Sequence, residues 1–222
     1  MKIAIILTGD VRECDVKHDI KKIFEGFDIY CGSYITHKQY ISDLCGDNHC
    51  LIDPNTDIKP PVGVKLHNMQ QNMLQWLHLD NVLKKFGSKL SEYDILLRYR
   101  FDYRVNCDFM NRISTVPGTL YHDGDKMFYA STETFMKLFC NYYDNLTKYT
   151  YVNDRSDDDD SFETSWRSEP ALDMHVENSG HTNSPLPFPH GKIVRGTYPK
   201  VRADGNKKLY KNNVLLGKFQ NA

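Results

Sequence analysis

A strand, a helix and a second strand within about thirty residues open this chain, and this order constrains the fold more than any other feature. Residues 2–7 form a continuous aliphatic run that ends at Thr8-Gly9. Such a run is typical of a fully buried strand in a largely parallel sheet. Residues 10–26 then show helical spacing of apolar side chains, and residues 27–31 predict a second short strand. The three segments predict a βαβ unit and therefore an α/β fold.

The remaining chain continues this alternation of strands and helices. The strongest predicted helix spans residues 68–86, where Met, Trp and Leu side chains share one face. Shorter predicted elements are a helix near 39–44, a strand near Leu51, strands at 119–122 and 126–130, helices at 131–146 and 168–175, and a hairpin around 204–206. Residues 178–189 are expected to be irregular, and the four aspartates at 157–160 are expected to lie in a mobile, solvated loop.

The composition excludes several classes of protein. A formal net charge of -1 provides no overall field that would attract nucleic acid or an anionic membrane. The first apolar run is too short for a signal peptide, and no later run approaches the length of a membrane span. The six cysteines contain no CxxC pair and are typical of reduced thiols. We therefore expect a cytoplasmic protein with no membrane span and no nucleic-acid partner.

A predicted strand in the middle of the chain runs directly into two arginines and a carboxylate. Alternation with a period of two puts Arg98, Arg100 and Asp102 on one face, with Tyr99 and Phe101 on the other. Ligands of open α/β sheets bind beyond the carboxyl ends of the strands, where these charges would meet a phosphorylated ligand and its divalent metal. A solvated cluster of ion pairs is an equally good interpretation of these residues alone.

The turn after the first strand is a second candidate for contact with a nucleotide. Gly9 allows the backbone to approach a ligand, and Arg12 is placed to neutralise phosphate from the following helix. Simple turn geometry is the alternative explanation of Gly9. The chain contains no G-x-G-x-x-G and no Walker A motif, which argues against dinucleotide binding and P-loop chemistry.

Four segments in succession, residues 2–12, 28–34, 72–76 and 94–102, resemble the GT-A-type glycosyltransferases of bacterial polysaccharide loci and of large algal viruses, the chloroviruses. Residues 123–131 resemble the strand and turn that follow in that family. The resemblance implies a GT-A fold, with a Rossmann-like, mostly parallel central sheet flanked by helices and a small second β element. It also implies a nucleotide-sugar donor, with a UDP-sugar favoured, and Mn²⁺ or Mg²⁺ as cofactor.

The resemblance assigns roles at the two strand ends. The residues implied to bind the donor are Thr8, Gly9, Arg12, Arg98 and Arg100. Asp102 would ligate the metal that bridges to the diphosphate, although Arg100 stands where the family usually carries its first aspartate. Asp123-Gly124-Asp125 is a literal D-x-D and ranks second as the metal motif, because a glycine between two aspartates is usually a plain turn.

Glycosyl transfer with inversion needs a carboxylate base for the acceptor hydroxyl. Glu169 and Asp173 are candidates on the segment that resembles the family's late acidic helix, and Asp125 competes with them. A glutamate at a helix start is more often a partner of the helix dipole. His175 or His190 would complete the metal shell, but a lone histidine is more often structural or exposed.

The sequence therefore predicts a metal-dependent glycosyltransferase of the hexosyltransferase class with a glycan or glycoprotein acceptor, located in the host cytoplasm if the protein is viral. One domain over residues 1–222 would comprise a nucleotide-binding half at 1–105, an acceptor and catalytic half at 106–200, and a basic hairpin at 201–222. The alternative is a non-catalytic carbohydrate or protein interaction module on a degenerate version of the same fold. A nucleotide-dependent phosphotransferase or hydrolase ranks lowest, because its phosphate-cradling loop is missing.

Overall fold

The computed structural model describes residues 1–11, 16–56, 58, 69–105, 108–146, 151–152, 164–165, 168–193, 198–201, 207–211 and 214–219. In chain order its strands are β1 (Ile3–Thr8), β2 (Asp28–Tyr34), β3 (His49–Ile52), β4 (Ile95–Arg100), β5 (Tyr103–Arg104), β6 (Thr119–Asp123), β7 (Met127–Ser131), β8 (Tyr151–Val152), β9 (Thr164–Ser165), β10 (Thr182–Pro185), β11 (Lys192–Ile193), β12 (Tyr198–Val201), β13 (Lys207–Lys211) and β14 (Val214–Phe219). Its α-helices are α1 (Val16–Ile23), α2 (Lys38–Cys45), α3 (Met69–Leu90), α4 (Thr132–Phe139), α5 (Tyr142–Asn145) and α6 (Ser168–Asn178).

Seven of these strands form the central sheet, in the order β10-β6-β7-β4-β1-β2-β3. β1 pairs in parallel with both β2 and β4, β3 extends the sheet in parallel beyond β2, and β10 pairs in parallel with β6. Within this sheet β7 is the antiparallel strand, between β4 and β6. A small second sheet joins β5 to β11 in antiparallel orientation. The predicted fold class, a mostly parallel sheet flanked by helices with a small second β element, is confirmed.

Different helices cover the two faces of the central sheet. On one face, Ile20 of α1, Phe24 directly after α1, and Ile41 of α2 contribute to an apolar core. On the other face, α3 to α6 pack around Trp76, whose ring stacks on that of Phe139 at 6.2 Å. Every side chain of β1 is buried between these two cores. The continuous aliphatic run at the amino terminus therefore has the burial expected of a central strand covered on both faces.

Most predicted elements are present in the structure. The strands and helix of the amino-terminal βαβ unit correspond to β1, α1 and β2, and the predicted hairpin near the carboxyl end corresponds to β12 and β13. Helix α3 continues beyond the predicted end at residue 86 to Leu90, which is completely buried. Because burial of Leu90 stabilises the last turn, Gly87 is accommodated inside the helix rather than ending it.

Two predictions of local structure were wrong. Residues 178–189 contain a strand, β10, which pairs with β6 at the edge of the sheet. Its polar sequence gives no strand signal, and Pro185 is tolerated because an edge strand has an unpaired side. The single helix predicted over 131–146 is divided into α4 and α5 at Cys140 and Asn141. The acidic run at 157–160 lies outside the described residues.

No helix in the described part of the chain combines the length and the apolar character that crossing a bilayer requires.

Candidate functional site

A crevice opens where the chain changes direction across the sheet. From β1 the chain moves outward to β2 and β3, and then returns to β4 on the other side of β1. Open α/β sheets bind ligands at such a switch point, beyond the carboxyl ends of the strands. The crevice has a volume of about 660 Å³ and is lined by Thr8, Gly9, Asp10, Tyr34, Thr36, Pro54, Asn55, Leu74, Gln75, His78, Arg100, Phe101 and Asp102. This volume is typical of a small-molecule site.

The end of β1 forms one wall of the crevice. Thr8 is in register with Arg100 of β4, so the carboxyl ends of the two strands are level. Gly9 has a φ of 109°, in the left-handed region that favours glycine. Its N–H donates to the carbonyl of Gly32 at 3.0 Å, and its own carbonyl accepts from the Ser33 hydroxyl at 2.8 Å. The Gly9 N–H is therefore already hydrogen-bonded within the protein.

Arg98 lies beneath the crevice, inside the protein. Its Nε donates to Oγ1 of Thr8 at 2.7 Å, and its Nη2 donates to Oε1 of Gln75 at 3.1 Å. Its Nη1 is buried and has no hydrogen-bond partner. Burial lowers the pKa of Arg98 to about 9, a shift that Asp125 opposes, so the side chain remains charged at neutral pH. Arg98 thus links the end of β1 to helix α3 through hydrogen bonds.

The side-chain alternation predicted for the end of β4 is confirmed. Tyr99 and Phe101 are buried in the core beneath α1 and α2. Arg98 packs over the Trp76 ring on the opposite face, at 5.6 Å from the ring centroid. The charged residues therefore project toward α3, as the period of two requires.

Arg100 and Asp102 line the crevice as a bidentate pair. Nε and Nη2 of Arg100 donate to Oδ1 and Oδ2 of Asp102, each at 2.9 Å. The third contact of the guanidinium is between Nη1 and Oδ1 of Asp125, at 3.3 Å. Because Arg98 and Arg100 face these two carboxylates, the formal charges of the cluster cancel. The cluster is a balanced network rather than a free patch of positive charge.

Asp125 connects this network to helix α3. Its Oδ2 accepts from Nε2 of Gln75 at 2.7 Å, and the same amide nitrogen lies 2.9 Å from the Ser168 hydroxyl. Burial alone would raise the pKa of Asp125, but Arg100 and Arg98 hold that pKa below its ordinary value. A buried carboxylate that stays ionised and hydrogen-bonded is a weak proton acceptor.

Glu169, the next predicted base, lies in the first turn of α6 against the turn between β6 and β7. Its Oε1 is 3.1 Å from Nζ of Lys126, which is also 3.2 Å from Oδ1 of Asp123. The Glu169 side chain covers Gly124, where an added Cβ would lie 2.6 Å from that Oε1 atom. Glu169 is therefore an exposed, ion-paired side chain that also shields a tight turn.

Asp173, the third predicted base, lies one turn further along α6 beside His122 of β6. Its Oδ1 is 3.5 Å from Nε2 of His122. Burial raises the pKa of Asp173, and burial also lowers the pKa of His122. The pKa of the Asp173 carboxyl is thus raised, which is the direction that a general base near neutral pH requires.

The structure does not bring the three predicted metal ligands together. Asp102 is at the crevice, where both of its oxygens accept from the neighbouring arginine. His175 is buried, with Nε2 2.6 Å from the Leu138 carbonyl, and His190 lies 3.2 Å from Asp123. In the described residues no group of three or more His, Cys, Asp or Glu side chains could hold a metal ion. The predicted ligand set does not fit a divalent cation, because the fold gives each member a different partner.

Sequence reasoning missed the helix side of the crevice. Gln75 and His78 are one turn apart on α3, and both are buried. Their signal is present in the sequence as two polar side chains three residues apart within the otherwise apolar stretch 73–79. Asp10 and Tyr34 also line the crevice without having been predicted. The predicted contact Arg12 lies outside the described residues.

Comparison with known proteins gives little sequence similarity. No protein-family model matches the chain, and no curated protein matches it. Among solved structures, the chain is similar to a glycosyltransferase involved in the glycosylation of the major capsid of PBCV-1. The two share 10% sequence identity over 80% of this chain and 90% of that chain, with a TM-score of 0.37.

Proposed function

We propose that this chain is a glycosyltransferase that binds a nucleotide-sugar donor, with a UDP-sugar favoured, in the crevice between β1 and β4. The proposal depends above all on one observation: the guanidinium of Arg100 lines a crevice of about 660 Å³ at the switch point of the sheet. Guanidinium groups suit phosphate oxygens because they donate in a planar, bidentate geometry. The four-segment resemblance described above supplies the reaction class, and a glycan or glycoprotein is the proposed acceptor.

In the proposed reaction, an acceptor hydroxyl attacks the anomeric carbon of the donor sugar. The bond from that carbon to the diphosphate breaks, and its electron pair leaves with the phosphate oxygen. Arg100 would stabilise the charge that develops there, as preorganised donors do in other enzymes. Since the described cluster is electrically balanced, the diphosphate needs additional positive charge, and Arg12 is our candidate for supplying it.

For the proton of the acceptor hydroxyl we propose Asp173 as the base. Asp173 does not line the crevice itself, but it lies beside His122 at the carboxyl end of β6, which is at the same edge of the sheet as the carboxyl end of β4. Burial raises the pKa of Asp173, whereas Arg100 and Arg98 hold the pKa of Asp125 below its ordinary value. We expect Asp173→Asn to lower the rate of sugar transfer at least tenfold with donor affinity unchanged. Glu177→Gln on the same helix is the matched control, because Glu177 is exposed. Equal rates for the two variants would remove Asp173 from this role.

A thermal-shift screen tests the proposal as a whole. UDP-, GDP-, dTDP- and CMP-sugars would be added to the protein with and without Mn²⁺, because a ligand that binds the native state raises its melting temperature. We expect a shift with at least one nucleotide sugar and a smaller shift for Arg100→Ala. The Mn²⁺ samples test the sequence-based expectation of metal dependence. No shift with any donor would contradict the proposal.

One observation favours a second candidate, a non-catalytic binding module. Both oxygens of Asp102 and one oxygen of Asp125 accept hydrogen bonds from Arg100, so these carboxylate oxygens are engaged by the arginine. A module of this kind would bind a nucleotide sugar and leave it intact. Incubation of the protein with the bound donor, followed by mass spectrometry of donor and products, distinguishes the two candidates.

A further inference from the structure

We propose that His78 of helix α3 binds a sugar hydroxyl of the ligand, either on the ribose of the nucleotide or on the transferred sugar. This inference rests on the proposed function, because it assumes that a nucleotide sugar occupies the crevice. His78 was not among the residues that sequence reasoning selected.

His78 lines the crevice but lacks the partners that a buried histidine normally has. Only 1% of its surface is exposed, and neither Nδ1 nor Nε2 has a hydrogen-bond partner. Buried polar groups in native proteins are nearly always hydrogen-bonded, and an exception calls for an explanation such as a role at a functional site. His175, another buried histidine of the chain, shows the usual arrangement, with Nε2 bonded to the Leu138 carbonyl.

The surroundings hold the His78 backbone firmly. An added Cβ on Gly32 of β2 would lie only 2.5 Å from the His78 carbonyl oxygen, so α3 packs against the strand at this point without a side chain between them. The ring of Tyr34 meets the imidazole edge to face, with 4.8 Å between centroids. The backbone is therefore fixed, while rotation about the Cβ–Cγ bond of a histidine remains soft. A small rotation of this kind would direct a ring nitrogen to a bound ligand.

The electrostatic environment selects an uncharged partner. Burial and the nearby Arg98 lower the pKa of His78 to about 3, so the ring is neutral at physiological pH. A neutral imidazole offers one N–H donor and one nitrogen acceptor. A sugar hydroxyl can both donate and accept, whereas a phosphate oxygen can only accept. The neutral ring therefore matches a hydroxyl, and the phosphates are better served by Arg100.

Substitution of His78 by Phe tests the inference. Phe keeps an aromatic ring beside Tyr34 but removes both nitrogens. Because these nitrogens are unpaired in the free protein, we expect the melting temperature of the ligand-free variant not to fall. We expect its affinity for the probe that carries the contacted hydroxyl to fall about tenfold. His78→Leu is the second variant, and His175→Leu is the matched control, which should lower stability while leaving affinity unchanged.

Calorimetric titrations would use UDP, 2′,3′-dideoxy-UDP and UDP-glucose, with the guanine counterparts if the unmodified protein binds GDP instead. A loss for UDP but not for the dideoxy analogue identifies a ribose hydroxyl, and a loss for UDP-glucose alone identifies the transferred sugar. Equal losses for UDP and its dideoxy analogue would overturn the hydroxyl assignment. Unchanged affinity for every probe would overturn the role of His78 while leaving the proposed function intact. No binding of any of the four nucleotide sugars by the unmodified protein would overturn both.

Discussion

At the scale of single residues, Arg98 is the side chain on which the candidate site most depends for its stability. It is fully buried, and it contacts both Thr8 of β1 and Gln75 of α3. We expect Arg98→Met to lower the free energy of unfolding by about 3 kcal/mol, because it leaves buried polar partners and a buried carboxylate without compensation. Urea denaturation measures this loss. The exposed Arg112, changed to Met, should alter stability by no more than about 0.5 kcal/mol. Similar effects of the two substitutions would contradict this view of Arg98.

The pKa of His78 predicts a specific dependence of stability on pH. In the unfolded chain this residue takes up a proton near pH 6.5, but in the folded protein only near pH 3. The unfolded chain therefore binds this proton more readily than the folded protein does. Above pH 6.5 this difference has no effect, and as the pH falls toward 3 it progressively lowers the free energy of unfolding. His78→Phe removes this loss, so we expect the variant to lose less stability than the unmodified protein between pH 7 and pH 4.5. Urea denaturation at the two pH values measures these losses. If the variant and the unmodified protein lose the same stability between pH 7 and pH 4.5, the shifted pKa is contradicted.

At the scale of elements, the contact between β2 and α3 determines where Gln75 and His78 lie. Gly32→Ala would place a Cβ 2.5 Å from a backbone oxygen of α3, so the helix must move. We expect a loss of about 2 kcal/mol in unfolding free energy, together with weaker donor binding. Gly87→Ala is the contrasting change, because its Cβ would meet only a Met136 methyl at 3.4 Å. An alanine inside a helix should stabilise by roughly 0.5–1 kcal/mol. The same sign for both substitutions in urea denaturation would be evidence against this account.

Elements with a strong local pattern could be predicted from the sequence. The aliphatic run of β1 and the alternation of Arg98, Tyr99 and Arg100 define a strand and its two faces without knowledge of the fold. The edge strand β10 could not be predicted in this way, because its polar residues are held by backbone pairing with β6. The break between α4 and α5 was also missed, since no proline or glycine marks it.

At the scale of the whole molecule, the candidate site is assembled from segments that are far apart in the chain. The bond from Arg98 to Thr8 spans 90 positions, and the bond from Gln75 to Ser168 spans 93. The sequence could predict that charged residues gather at the strand ends, because parallel strands share an edge. It could not predict that Gln75 joins the network or that His175 and His190 bind elsewhere, because those contacts depend on how helices dock.

The central claim is that a nucleotide sugar binds at the carboxyl ends of β1 and β4. Hydrogen–deuterium exchange with and without saturating UDP-glucose locates the binding site directly, because bound ligand slows exchange of the amides that it covers or orders. We predict slower exchange in segments 8–10, 73–78 and 98–102, with no change at residues 118–121 near the opposite end of the sheet. Slower exchange confined to any other region, or unchanged exchange throughout, would contradict it.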